Sequence, residues 1–174
     1  PDCDQRALTV ALLRGSFEFQ GQKCSAASRA YIPESIWDAI KDDYCSEVSK
    51  ITMGDPRDFS NFMSAVIAQK SFDNITGYID RAKEDSGCEI VTGGNYDDSK
   101  GYFIEPTTII CKDSRYESMA EEIFGPVLSI HIYPDDDFER ILEVCDSTSE
   151  YALTGSIFAK DRRHIETALA ALRF

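Results

Sequence analysis

The chain has 174 residues, of which 43% are hydrophobic and 28% are charged, a composition typical of a globular protein with a core of its own. Its 31 acidic residues outnumber its 18 basic residues, and the net charge of −13 would repel nucleic acid and anionic lipid surfaces. No stretch approaches the roughly 18 consecutive apolar residues needed to cross a bilayer, so we expect neither a nucleic-acid nor a membrane partner.

Helices and strands are predicted to alternate along the chain, from the spacing of apolar residues and from the turn residues between them. The predicted helices cover Gln5–Phe19, which is apolar on most sides and therefore expected to be buried, Glu34–Ser49, Ala68–Asp85, Asp135–Cys145 and Asp161–Phe174. The predicted strands cover Ser28–Pro33, Glu89–Gly94, Gly101–Ile110, Pro126–Tyr133 and Leu153–Ala159.

This alternation is typical of an α/β protein, and we predict an open, largely parallel sheet covered by helices. In such sheets, ligand sites usually lie at the carboxyl ends of the strands. The sequence contains neither a G-x-G-x-x-G nor a Walker-type glycine-rich loop, so the chain by itself is not expected to cradle a phosphate.

The cysteines are predicted to be free thiols from a reducing compartment, because no two of them form a CxxC pair. With only His131 and His164 available as further ligands, we expect no metal site. The six cysteines are Cys3, Cys24, Cys45, Cys88, Cys111 and Cys145.

One cysteine lies in a setting unlike that of a buried thiol. Cys24 follows an apolar run and lies in the sequence GQKCSA, among small and polar residues that leave room for a substrate. The charge of Lys23 would favour the thiolate, which is the reactive form of a cysteine. Cys24 is therefore a candidate nucleophile, although an inert loop thiol is the commoner case.

A second motif, EEIFGPV, runs from Glu121 to Val127. Two carboxylates and an aromatic residue precede a Gly-Pro turn that leads into a predicted strand, so Glu122 and Phe124 are expected at the edge of the sheet. The alternative interpretation is a helix end with two solvated glutamates and a core phenylalanine.

Together these motifs resemble the aldehyde dehydrogenase family, in which a G-Q-x-C loop and an E-E-x-F-G-P motif occur in this order. The resemblance extends over essentially the whole chain. Among the residues that carry it are GDP at Gly54–Pro56, the glycine pair Gly93 and Gly94, GYFIEPT at Gly101–Thr107 and the LTGSIF segment. A finer similarity, in FEFQGQKCSA, RAYIPESIW, SAVI and FGPVLSIHIYPDDDFE, is to the members that oxidise glutamate semialdehyde in proline breakdown.

The resemblance implies NAD-dependent aldehyde oxidation through a cysteine thiohemiacetal and a thioester. Cys24 matches the nucleophile, and Ser25 matches a residue that helps to hold the distal carboxylate of the substrate. Glu122 matches the carboxylate that binds the hydroxyls of the nicotinamide ribose, and Phe124 matches an aromatic residue beside the nicotinamide. Lys23 is at most a local electrostatic aid.

The resemblance also implies that residues 1–174 form a single catalytic domain without the NAD-binding Rossmann domain. In the family's order, the general-base glutamate and the oxyanion-hole asparagine precede Pro1. The sequence is thus interpreted as a piece of a longer enzyme, inactive alone and homo-oligomeric as the whole protein. The implied compartment is the mitochondrial matrix in a eukaryote and the cytoplasm otherwise.

Two other functions remain open from the sequence. The chain could be a non-catalytic module that acts through exposed surfaces or as a redox-sensing thiol. A thiol hydrolase with Cys24 as nucleophile and His131 or His164 as base is less favoured, because neither histidine lies in a matching motif.

Overall fold

The computed structural model describes residues 2–173, and its secondary structure follows the predicted alternation closely. The helices are α1 (Gln5–Phe17), α2 (Glu34–Ser49), α3 (Gln69–Glu84), α4 (Glu117–Ala120), α5 (Phe138–Ser147) and α6 (Arg162–Ala171). The strands are β1 (Arg29–Pro33), β2 (Cys88–Thr92), β3 (Tyr96–Asp97), β4 (Phe103–Ile104), β5 (Thr107–Cys111) and β6 (Val127–Tyr133).

The main sheet has the strand order β1-β6-β5-β2. Strands β1 and β5 both run parallel to the central strand β6, and β2 is antiparallel to β5 at one edge. Strands β3 and β4 form a separate two-stranded sheet. The predicted open, largely parallel α/β sheet is confirmed.

Helices cover both faces of the main sheet, because successive residues of a strand point to opposite sides. Leu128 and Ile130 of β6 pack into a cluster with buried residues of α1 and α2, whereas Val127 packs into a cluster with α3. Burial of each such side chain contributes about 1.5–3 kcal/mol. The central strand is therefore held from both sides by apolar contacts.

The helical spacing of apolar residues predicted α3 correctly. Phe72, Ile75, Ile79 and Ala82 are all buried against the sheet, as expected of one face of an amphipathic helix. Within the part of the chain that the structure describes, no helix is both long and apolar enough to cross a bilayer.

Helix α1 differs from its prediction in length and in burial. It ends at Phe17 because Phe19 and Gln20 adopt left-handed backbone angles, with φ of 56° and 58°. Only one side of the helix is buried, and Val10 and Arg14 are exposed on the other side. The prediction of a helix buried on most sides was therefore wrong.

Two strand predictions also need correction. The predicted strand Gly101–Ile110 is two strands, because Pro106 has no N–H to donate and the chain changes its partner there. The N–H of Glu105 binds the carbonyl of Asn95 beside β3, at 3.0 Å, whereas the N–H of Thr107 binds the carbonyl of Pro126 beside β6, at 2.9 Å. The predicted strand Leu153–Ala159 does not form. This segment lies exposed without a neighbouring strand among the described residues, and a strand requires a neighbour to bind its backbone groups.

The loop after α1 passes unusually close to the loop before β6. Gly21 has φ of +64°, and a Cβ atom at this position would lie 2.7 Å from the carbonyl oxygen of Ser16 and closer still to that of Gly125. Both obstacles are backbone atoms, so no rotation of a side chain could relieve the clash. Glycine is therefore required for the two loops to meet.

We expect Gly21→Ala to lower the free energy of unfolding by about 3 kcal/mol or more, because it combines a steric clash with a left-handed backbone angle. Urea unfolding monitored by circular dichroism measures this change. The matched control is Gly155→Ala, where a Cβ atom would meet no atom within 4 Å and the expected change is below about 0.5 kcal/mol. Equal stability of the two variants would contradict the required close approach.

Candidate functional site

Both sequence motifs lie at the amino ends of neighbouring parallel strands. Cys24 precedes β1 and Glu122 precedes β6, and the carbonyl of Ser28 accepts a hydrogen bond of 3.0 Å from the N–H of Ser129 where these strands begin. The two motifs therefore do not lie at the carboxyl ends of the strands, where sites in such sheets are usually found. Because the strands are parallel, the two loops share one edge, where Gly21 and Gly125 bring their backbones together.

Cys24 and Ser25 occupy the two central positions of a tight turn. The N–H of Ala26 donates to the carbonyl of Lys23 at 3.0 Å, and the N–H of Ala27 donates to the carbonyl of Gly15 in α1 at 2.9 Å. The turn is thus tied to the carboxyl-terminal part of α1. Both side chains are exposed at its tip, where an incoming molecule can reach the thiol and the hydroxyl.

Lys23, the cation next to Cys24 in the sequence, forms an ion pair with Glu18. Its ammonium group lies 2.9 Å from a carboxylate oxygen of Glu18, whose other oxygen accepts from Arg14 at 2.7 Å. The hydrogen bond from Lys23 lowers the pKa of Glu18, and Arg14 lowers it further. Lys23 and Arg14 therefore share one carboxylate, and this group of three residues keeps a net charge of +1.

Two glutamines hold the Cys24 loop against the segment 64–67, a role that the sequence analysis missed. The Gln20 amide donates to the carbonyl of Ala65 and accepts from the N–H of Ser64, both at 3.2 Å. The Gln22 side chain accepts from the N–H of Ile67 at 3.0 Å. The available signal was one glutamine on each side of Gly21, at positions where the loop has no strand partner.

Helix α3 holds the loop that contains the acidic motif. Tyr78 donates its hydroxyl proton to Glu121, and Arg81, one turn further along α3, binds both carboxylate oxygens of Glu117 at 2.6 Å and 3.0 Å. The guanidinium of Arg81 also lies 4.6 Å from the ring centre of Tyr78. The hydrogen bond to Glu121 raises the pKa of Tyr78 to about 12. Glu121 therefore helps to fix this loop against α3.

Glu122 and Phe124 are presented to solvent, as the edge interpretation expected. Glu122 is exposed, and within residues 2–173 it makes no hydrogen bond or ion pair. The ring of Phe124 is 44% exposed although its backbone adopts a left-handed angle, with φ of 57°. A free carboxylate and an exposed aromatic ring thus lie two residues apart in a loop that contacts the Cys24 loop.

Neither histidine is placed as a base for Cys24. His131 lies within β6 and donates from Nδ1 to the carbonyl of Cys111 at 3.0 Å, and His164 of α6 lies 3.2 Å from a carboxylate oxygen of Asp2. These contacts give no support to the thiol hydrolase hypothesis. Among the described residues, no group of three or more His, Cys, Asp or Glu side chains could hold a metal ion.

The exposure of Cys24 sets it apart from the other cysteines. All six thiols are free, and five of them are partly or fully buried. Burial raises the pKa of these five thiols, which reduces their thiolate fraction at neutral pH, and for Cys111 the pKa rises to about 12. The five are Cys3, Cys45, Cys88, Cys111 and Cys145.

Comparison with known proteins gives consistent matches. The model of the aldehyde dehydrogenase family matches residues 1–174. The chain is 58% identical to the mitochondrial delta-1-pyrroline-5-carboxylate dehydrogenase of Dictyostelium discoideum over 90% of its length, and 45% identical to the human mitochondrial protein of that name over 98%. It covers 28% and 30% of those two proteins.

Solved structures agree. The delta-pyrroline-5-carboxylate dehydrogenase of Mycobacterium tuberculosis bound with NAD superposes with a TM-score of 0.92 at 43% identity, over 99% of this chain and 31% of that one. The betaine aldehyde dehydrogenase of Staphylococcus aureus in complex with NAD⁺ gives 0.89 at 30% identity, over 99% of this chain and 34% of that one. The chain thus spans about a third of the length of the relatives it matches. With a family model that matches from end to end and relatives of this similarity, the chain belongs to the aldehyde dehydrogenase family.

Proposed function

We propose that this chain is the thiol-bearing part of an NAD-dependent dehydrogenase that oxidises glutamate 5-semialdehyde, the open form of 1-pyrroline-5-carboxylate, to glutamate. The observation that carries the proposal is the exposed Cys24 turn in backbone contact with the loop of Glu122 and Phe124. The names and identities of the relatives support the same substrate. They favour an enzyme over a non-catalytic interaction or redox-thiol module.

Cys24 is proposed as the nucleophile. Its thiolate attacks the aldehyde carbon and forms a carbon–sulfur bond, and the thiohemiacetal becomes a thioester when hydride leaves that carbon. Water then adds to the thioester carbonyl, the carbon–sulfur bond breaks, and the carboxylate product and the thiolate separate. A thiol suits this cycle because it is strongly nucleophilic near neutral pH and its acyl derivative remains labile to water.

The residues of the second loop fit the nicotinamide end of NAD, which supplies the hydride acceptor when it is bound. Glu122 has a free carboxylate, which can accept hydrogen bonds from two ribose hydroxyls. The exposed ring of Phe124 offers an apolar surface beside a nicotinamide. Glu121 already accepts a hydrogen bond from Tyr78, so the proposal assigns the ribose contact to Glu122.

Ser25 is proposed to bind the distal carboxylate of the substrate. Its exposed hydroxyl shares the tip of the turn with Cys24 and can donate a hydrogen bond to a carboxylate. This donor would favour an aldehyde with an acid group at its other end over a purely apolar aldehyde.

The remaining functions of the whole protein are assigned to segments outside these 174 residues. They are the grip on adenosine and pyrophosphate, the general base, the oxyanion-hole asparagine and the formation of a homo-oligomer. The relatives from Dictyostelium and human are named mitochondrial, which supports the mitochondrial matrix as the compartment in a eukaryotic source. In a bacterial source the proposed compartment is the cytoplasm.

At neutral pH we expect iodoacetamide to alkylate Cys24 several-fold faster than any other cysteine, because Cys24 is exposed and burial raises the pKa of the other five thiols. Mass spectrometry of peptides from one timed sample measures all six rates. The advantage should shrink as the pH rises above 9, where the thiolate fraction of the partly buried cysteines increases. Equal rates at neutral pH would argue against a poised nucleophile in this chain.

In the full-length protein, Cys24→Ser should lower the rate of NADH formation from glutamate semialdehyde by about 10³-fold or more, because it removes the attacking thiolate. The matched control is Cys45→Ser, on α2, which should leave the rate within about twofold of the unmodified protein. Retention of substantial activity by Cys24→Ser would refute its role as nucleophile. If the unmodified protein were inactive with glutamate semialdehyde but active with another aldehyde, the proposed substrate would be refuted, and not the role of Cys24.

The isolated chain should bind NAD weakly, with no saturation at micromolar concentration, because Glu122 and Phe124 are the only residues of this chain proposed to contact NAD. Isothermal titration of the isolated chain, with the full-length protein as the positive control, tests this expectation. Saturable micromolar binding by the isolated chain would show that it contains a further nucleotide site.

A further inference from the structure

Two free cysteines lie directly opposite each other at the edge of the main sheet. Cys88 at the start of β2 is paired with Cys111 at the end of β5 in the antiparallel register. The neighbouring residues, Gly87 before Cys88 and Lys112 after Cys111, are joined by a hydrogen bond of 2.9 Å from the N–H of Lys112 to the carbonyl of Gly87. This pattern makes Cys88 and Cys111 a non-hydrogen-bonded pair, the arrangement in which opposite side chains approach most closely.

The separation expected for such a pair suits a disulfide. Residues in a non-hydrogen-bonded pair have Cα atoms about 4.5 Å apart, inside the range of about 4.4–6.8 Å that disulfides span. The two side chains also share one face of the sheet, because residues directly opposite each other in an antiparallel pair point to the same side. Bond formation therefore needs rotation of side chains and no displacement of the strands.

The two thiols differ in their access to solvent. Cys111 is 1% exposed and contacts the hydroxyl of Ser118 at 3.7 Å, whereas Cys88 lies on the edge strand and is only partly buried. A small oxidant can thus reach Cys88 first, and the buried Cys111 is then the second thiol that reacts with it.

We propose that Cys88 and Cys111 form a reversible disulfide when the protein meets a peroxide, as a redox-sensitive cross-link between β2 and β5. The Cys88 thiolate attacks one peroxide oxygen, the O–O bond breaks, and a sulfenic acid and water are formed. The Cys111 sulfur then attacks the sulfur of Cys88, the S–O bond breaks, and a second water leaves with the thiol proton. Two thiols are oxidised and one hydrogen peroxide is reduced.

The same setting keeps the pair reduced under ordinary conditions. Burial raises the pKa of both thiols, most strongly that of Cys111, so little attacking thiolate exists at neutral pH. Oxidation of the pair should therefore be slow at pH 7 and faster at pH 9. Cys24 is exposed and would be oxidised independently, because the sheet register gives it no opposite cysteine.

The test is peroxide treatment of the reduced 174-residue chain carrying Cys24→Ser, which removes the exposed competing thiol. Remaining thiols are blocked with iodoacetamide, and the digest is analysed by mass spectrometry without reduction. We expect one dominant cross-linked peptide pair that contains Cys88 and Cys111, has lost two hydrogens and disappears with dithiothreitol. Its initial rate should rise at least about fivefold from pH 7 to pH 9 as the thiolate fraction grows.

Matched variants keep this result interpretable. Cys88→Ser is the decisive variant because the position is only partly buried, and it should abolish the cross-link. Cys145→Ser, which removes another partly buried thiol on α5, should leave the yield unchanged. Recovery of Cys88 and Cys111 as alkylated thiols after peroxide, or a cross-link that joins either of them to another cysteine, would overturn the proposal.

Discussion

The close approach of Gly21 to the carbonyl oxygen of Gly125 is the constraint on which the candidate site depends. It joins the loop of Cys24 to the loop of Glu122 and Phe124, and no larger residue than glycine fits between the two backbones. Each loop then continues into one of two adjacent parallel strands, so the register of the sheet holds the two loops at a common edge. Because of this contact, two motifs that are about a hundred residues apart in the sequence lie next to each other in the structure.

Backbone strain is concentrated at the same place. Phe19, Gln20 and Phe124 all adopt left-handed angles that cost about 1–2 kcal/mol for residues with a Cβ atom. The surrounding contacts offset this cost. The Gln20 side chain makes two hydrogen bonds to the segment 64–67, and Phe17, just before the strained residues, is completely buried. Such strained angles persist where contacts with the surrounding structure stabilise them. They leave the exposed rings of Phe19 and Phe124 on the two sides of the contact between Gly21 and Gly125.

The acidic motif shows how identical neighbours acquire different roles. Tyr78 and Arg81 are one turn apart on α3 and bind two carboxylates one turn apart, those of Glu121 and Glu117. This pairing gives Glu121 a partner on α3, whereas Glu122 has none among residues 2–173. At the first motif, Glu18 binds both Lys23 and Arg14, so the cation next to Cys24 in the sequence shares a carboxylate with a second cation. Hydrogen bonds and ion pairs, to residues near and far along the chain, thus decide which charged groups already have partners.

The sequence by itself determined the α/β class, most helices and strands, the family and the two motifs, because these depend on the spacing of apolar residues and on short local patterns. Phe72, Ile75 and Ile79 are buried as their spacing predicted, since a helix places them on one face whatever the topology. Only the tertiary structure decided that Leu153–Ala159 forms no strand and that the two motifs lie together at the amino ends of β1 and β6. Those outcomes depend on which backbone N–H and C=O groups form hydrogen bonds with residues far away in the sequence, and local sequence patterns do not specify these long-range bonds.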